Sequence, residues 1–139
     1  MIRFGIIGTS DITTRMVGSI GEVDGATVAA VYSRDLERAK QKAVEYGASI
    51  ASDDLETLLT SGEIDAVYIA SPNAVHGEQV RQAVAAGIHV LVEKPAVTAA
   101  AEWTVLTSQA TTAGVVLLEA IRTEYDPGTE LVRSLLPRL

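Results

Sequence analysis

Apolar residues fall along the chain in short, almost unbroken runs, separated by longer stretches with a helical period. Five runs are rich in β-branched residues: Ile2–Ile7, Ala26–Tyr32, Ile64–Ala70, Ile88–Val92 and Val115–Leu118, with a weaker sixth at Ser49–Ala51. Runs apolar throughout suit strands buried on both faces of a parallel sheet. Between them, Asp35–Tyr46 is charged and amphipathic. Asp53 with Glu56 predicts a capping-box start for a short helix through Leu59. Asn73 is placed to cap a helix reaching Ala86, and Thr98 one reaching Ala113. Asp126 and Pro127 have the residue types of a helix cap and first helical position for a last helix. Gly47, Gly62, Gly87 and Gly114 each follow a helical stretch and precede a strand, the place of a helix-terminating glycine. Strict alternation of strand and helix predicts an α/β fold, a doubly wound parallel sheet of the Rossmann type.

The 139 residues fit one domain, spanning 1–139, and 47% apolar content supplies its core. No apolar run approaches the roughly 18 residues of a membrane span. Polar Thr9, Ser10 and Asp11 interrupt the opening MIRFGIIG, which therefore lacks a signal-peptide layout; the expected compartment is the cytoplasm. The absence of cysteine excludes disulfides and Cys-based metal sites, and no metal is expected. A net charge of -7 disfavours nucleic acid as a partner and serves solubility.

The first strand runs directly into GTSDITT, where a dinucleotide loop would read G-x-G-x-x-G. Gly8 keeps the first glycine; Ser10 stands at the second and Thr13 at the third small position. Backbone N–H groups at the following helix start can cradle a pyrophosphate, and the Ser10 hydroxyl can donate to a phosphate oxygen. Thr13 is bulkier than the usual residue and is expected to push the helix outward. Asp11 would repel a pyrophosphate unless its carboxylate caps the helix. A plain strand-to-helix turn explains the same residues.

NAD-binding domains place Asp or Glu about 20 residues further on, against the ribose 2′-hydroxyl. Here the second strand ends in Ser33 and Arg34. A hydroxyl and a guanidinium suit a 2′-phosphate, so NADP is expected over NAD. The bland alternative makes Arg34 a solvated residue before a helix.

Two further motifs, Ser71-Pro72-Asn73 and Glu93-Lys94-Pro95, follow strands at the edge where open α/β sheets bind ligands. Together with FGIIGTSDI, VYSRDLERA, YIASPNAVHGEQ, HVLVEKPAVTAAAEW and LLEAIRTEYDPG, they make the chain resemble the N-terminal domain of the Gfo/Idh/MocA oxidoreductases, over essentially its whole length. The pairing of S-P-N-x-x-H with E-K-P is the specific part. The resemblance implies oxidation or reduction of sugars, polyols or related carbonyl compounds with NADP or NAD. It implies that Gly8, Thr9, Ser10, Asp11 and Ile12 face the cofactor, that Ser71, Pro72, Asn73 and His76 lie along its nicotinamide half, and that Lys94 lies near the reacting oxygen as the catalytic residue. Glu93 would orient Lys94 or touch the cofactor. A cis Lys94–Pro95 bond is expected on the same ground. Asn73 as a mere cap, His76 as an ordinary helix residue and a structural His89 remain the simpler readings.

The chain departs from the family at Ser10, usually Gly, and in Glu119-Ala120-Ile121-Arg122-Thr123-Glu124, where many members read E-A-F-M-Y-R; Arg122 is placed near the cofactor without an assigned role. The family's second domain, which supplies most of the substrate pocket, would begin about where RSLLPRL ends. The expectation is a domain that binds cofactor without efficient turnover, with apolar surface around Leu131, Leu135 and Leu136 that could promote homo-oligomers. A standalone module for coenzyme A or nucleotide sensing is the alternative; it leaves E-K-P unexplained.

Overall fold

The computed structural model describes residues 1–136. Six strands, β1 (Ile2–Ile7), β2 (Ala26–Tyr32), β3 (Ile50–Ser52), β4 (Ala66–Ile69), β5 (His89–Val92) and β6 (Leu117–Glu119), form one sheet in the order β3-β2-β1-β4-β5-β6. All pairings are parallel. The helices are α1 (Asp11–Gly21), α2 (Leu36–Tyr46), α3 (Leu55–Thr60), α4 (His76–Ala85), α5 (Ala100–Ala113) and α6 (Pro127–Leu135). This is the doubly wound α/β fold expected, with its switch point between β1 and β4.

Successive side chains of a strand point to opposite faces, and β1 shows why an unbroken apolar run was needed. Ile6 and Ile7 are both fully buried, but in different cores. Ile7 joins Val67 and Val90 under Leu58 of α3, Val80 of α4 and Leu106 of α5. Ile6 joins Val31 and Tyr68 under Ile20 of α1 and Ala43 of α2. Past β4 this second face is thinly covered: Leu91 is half-buried, and Leu118 is exposed.

Several helix starts differ from expectation. Asp54, not Asp53, caps α3, accepting the Thr57 N–H at 3.0 Å. Asn73 does not cap α4. It opens a 3-10 turn, Asn73–Val75, closed by the Val75 N–H on the Pro72 carbonyl, so the helix proper begins at His76. Ala99, rather than Thr98, occupies the extended cap position of α5, with no side-chain hydrogen bond. Asp11 likewise caps nothing. Ser10 is the extended N-cap residue and Asp11 the first helical one, where its carboxylate faces the positive end of the helix dipole. Asp126 caps α6 through the Gly128 N–H at 2.7 Å, with Pro127 as first helical residue.

Strand ends shift by a few residues. Val115 is not in β6, because its N–H turns back onto the Ala110 carbonyl behind Gly114. The terminating glycines hold: Gly47, Gly62, Gly87 and Gly114 all have φ of +70° to +75°.

At the sheet edge away from the carboxyl ends, Arg3 of β1 grips Asp65 with two guanidinium hydrogen bonds, 3.0 and 2.7 Å, and a backbone N–H at 2.8 Å. These bonds hold the Asp65 carboxyl down to about 2, the side-chain hydrogen bond contributing most.

Candidate functional site

The carboxyl ends of the strands open into one elongated cleft of about 1390 Å³. The sheet order fixes the sequence of stations along it. Ser33, Arg34 and Arg38 stand at the β2 end, the Gly8–Ile12 loop at the centre, Ser71 to Asn73 beyond β4, Glu93 and Lys94 beyond β5, and Arg122 beyond β6. The structure thus brings the expected site residues to one cleft, except Asp11, which lies on the exposed first turn of α1 outside the cleft wall.

Gly8 sits where no other residue fits. Its φ is +113°, and an added Cβ would lie 2.5 Å from the Ala70 carbonyl oxygen. The loop after β1 is thereby pressed against the loop after β4. Ser10 stands exposed at the start of α1, its hydroxyl 3.4 Å from that of Thr13, which is fully buried. The N-terminus of α1 faces the cleft with its first N–H groups free for an anion.

At the β2 end, Arg38 was not singled out from the sequence, where it reads as one charge on an amphipathic helix. Its Nε donates to the Thr9 hydroxyl at 2.6 Å and its Nη2 to the Thr9 carbonyl at 3.3 Å. Its place one turn after Arg34, in the first turn of α2, was the available signal. Arg34 is exposed and forms no ion pair among the described residues.

At the other end, His76 is buried with each ring nitrogen set against a backbone carbonyl, and the single N–H of an imidazole donates to one of the two. Nε2 lies 2.8 Å from the Ser71 carbonyl and Nδ1 3.0 Å from the Pro95 carbonyl. The ring therefore ties the loop after β4 to the loop after β5 and presents neither nitrogen to the cleft. The Ser71 hydroxyl is taken by Gln79. Lys94–Pro95 is cis, as expected, and Lys94 is exposed and lines the cleft.

Glu93 does not pair with the Lys94 ammonium. Its Oε1 accepts from the Tyr68 hydroxyl at 2.7 Å, and its Oε2 accepts the Lys94 backbone N–H at 3.3 Å. Burial of Tyr68, and then its bond to this carboxylate, push the phenol well above its ordinary value, so it remains a donor. Tyr68 reads in sequence as one more apolar strand residue, and its partner lies on the neighbouring strand. His89 is structural: its Nδ1 accepts the Val116 N–H at 2.9 Å.

Residues 2–121 match the model of the GFO_IDH_MocA family, described as an oxidoreductase family with an NAD-binding Rossmann fold. The chain belongs to the Gfo/Idh/MocA oxidoreductase family. Among its relatives, scyllo-inositol 2-dehydrogenase (NADP(+)) IolU of Bacillus subtilis is 42% identical over 139 residues, which are 100% of this chain and 42% of that protein. D-xylose 1-dehydrogenase (NADP(+)) 2 of Haloferax volcanii is 38% identical over 135 residues, 97% of this chain and 42% of that one. The crystal structure of KijD10, a 3-ketoreductase from Actinomadura kijaniata, in complex with NADP and TDP-benzene, superposes with a TM-score of 0.91 at 31% identity, covering 99% of this chain and 42% of that one. The chain thus spans about 42% of the length of these Gfo/Idh/MocA relatives and corresponds to their NAD(P)-binding Rossmann domain. No helix among the described residues is long and apolar enough to cross a membrane.

Proposed function

We propose that this domain binds NADP in preference to NAD and serves an oxidoreductase acting on sugars, polyols or related carbonyl compounds. One observation carries the cofactor choice. At the end of β2, where an acid would meet a free ribose 2′-hydroxyl, Ser33, Arg34 and Arg38 line the cleft. Two guanidinium groups and a hydroxyl match a 2′-phosphate, which a carboxylate would repel. The relatives named for NADP support the same reading.

From that end the cofactor would cross the Gly8–Ile12 loop, its pyrophosphate on the N–H groups of α1 and the Ser10 hydroxyl. Its nicotinamide half would lie along Ser71, Pro72 and Asn73 toward Lys94 and Arg122. When bound, the nicotinamide supplies the hydride acceptor or donor. Lys94 would then face the oxygen of the reacting carbon. As an exposed ammonium without an acidic partner among the described residues, it can stabilise a developing alkoxide or hand on its proton. Glu93, held by Tyr68, shapes the wall beside it without quenching its charge. His76 fixes the spacing of the two loops that carry Asn73 and Lys94. Efficient hydride transfer also needs the substrate held in register and shielded from water.

Calorimetric titration of the chain with NADP, NAD and coenzyme A, side by side, tests the reading. Tighter binding of NADP than of NAD, with none of coenzyme A, is the expected result. Binding of coenzyme A alone would overturn it in favour of a nucleotide module without redox chemistry.

A further inference from the structure

The cations of this acidic chain divide cleanly. Among the described residues, Arg3, Lys40, Lys42, Arg81 and Arg133 form ion pairs with carboxylates. Arg15, Arg34, Arg38, Lys94 and Arg122 form none, although acidic residues outnumber basic ones, 18 to 11. All five of these line one of two adjoining cavities. Arg34, Arg38 and Lys94 belong to the cofactor cleft and are accounted for by the proposed function. Arg122 stands at the far end of that cleft with no chemical role assigned to it, and Arg15 lies outside it.

These two arginines share the second cavity, of about 330 Å³, between α1 and the segment after β6. Its floor is Tyr68 and Leu91, and Ile121 forms part of its wall. Glu93 and Arg122 line both cavities, so the second opens beside the Lys94 end of the first. The nearby carboxylates are engaged elsewhere. Glu93 holds Tyr68 and the Lys94 N–H, and Glu124 is paired to Arg133 at 2.7 Å. Asp11, one turn before Arg15 on α1, makes no ion pair with it within 4 Å. Two unpaired guanidinium groups over a partly apolar floor form a receptor for an anion carried on a small organic body.

We propose that the cavity between Arg15 and Arg122 is a subsite for an anionic group, a phosphate ester or carboxylate, on the sugar or polyol whose reacting carbon lies at Lys94. The substrate class is thereby narrowed from neutral sugars to anionic ones. The assignment of the reacting end rests on the oxidoreductase reading; the anion site itself does not.

The test follows the arginine Nε–Hε NMR signals while glucose 6-phosphate, gluconate or glucose is added, first to the free chain and then with saturating NADP. An anionic probe should move the Arg15 and Arg122 signals in both states, and glucose should move neither. The phosphate and carboxylate arms distinguish the two sources of charge. Arg15→Gln should weaken the anionic probe about tenfold, the effect of losing one charge-assisted contact, while NADP affinity changes less than twofold. An equal response to glucose would overturn the proposal. So would loss of the response once NADP fills the cleft, which would place the anion on Arg34 and Arg38, or unaltered binding in Arg15→Gln. Failure of the chain to bind NADP would condemn the cofactor reading alone, since the titration without cofactor still decides the anion site.

Discussion

Arg38 donates to Thr9 at 2.6 Å, joining the first turn of α2 to the loop that follows β1. The contact sets an arginine of one crossover against the loop of another, and places it beside Arg34 at the end of β2. The β2 end of the cleft is therefore built from residues of two different βα units.

Two substitutions separate the roles of these arginines. Arg34→Ala should weaken NADP by about 10- to 100-fold and NAD far less, since a charge-assisted contact is worth roughly 1.5–3 kcal/mol. Arg38→Ala should also cost NADP affinity, and should weaken NAD slightly because the Thr9 loop loses its tether. Calorimetry with both cofactors checks this; equal losses for NADP and NAD in Arg34→Ala would rule out a 2′-phosphate contact.

Gly8→Ala should both destabilise the chain and abolish cofactor binding. The methyl group would meet the Ala70 carbonyl at 2.5 Å, in a backbone conformation with φ +113°. A non-glycine residue there carries strain of about 1–3 kcal/mol before the clash is counted. Thermal unfolding and an NADP titration provide the measurements. A melting temperature within a degree of the parent would contradict the close approach of the two loops.

His76→Ala should remove the ring N–H from whichever of the Ser71 and Pro95 carbonyls accepts it and empty the ring's buried place between the two loops, at a cost of about 1–3 kcal/mol. Cofactor affinity should fall with it, because the loops carrying Asn73 and Lys94 lose their common tie. Chemical denaturation reads the first effect and NADP titration the second. A variant as stable as the parent would show that the ring is not the tie between these loops.

The Arg3–Asp65 pair predicts an acid limb in stability. The Asp65 carboxyl is held down to about 2, below its ordinary 3.8, by the Arg3 hydrogen bonds. The folded state therefore prefers the ionised form. That contribution is complete above the unfolded value and is lost as the pH falls from about 4 toward 2. Urea midpoints measured across this range should fall less steeply for Asp65→Asn than for the parent chain. Identical slopes would remove Asp65 from the acid response.

Much of the architecture was legible in the residues taken in order. Runs such as Ile2–Ile7 and Ala26–Tyr32 can satisfy their apolar character only as strands covered on both faces, and the glycines after the helices mark their ends because few other residues adopt a positive φ. The S-P-N and E-K-P motifs lay visibly at strand ends, and Ser33-Arg34 at the end of the second strand. Local backbone geometry decided the cap of α3, and tertiary structure the partners of Tyr68, His76 and Arg38. Asp54 rather than Asp53 caps α3, because the cap goes to the residue whose extended backbone aims its carboxylate at the Thr57 N–H. Tyr68 finds Glu93 only because β4 lies beside β5. His76 reaches Pro95 and Arg38 reaches Thr9, 19 and 29 residues away, across separations that no local spacing encodes. Periodicity and backbone chemistry act over a few residues and so fix the elements. Hydrogen bonds between loops depend on strand order, which is settled by burying both faces of the whole sheet at once.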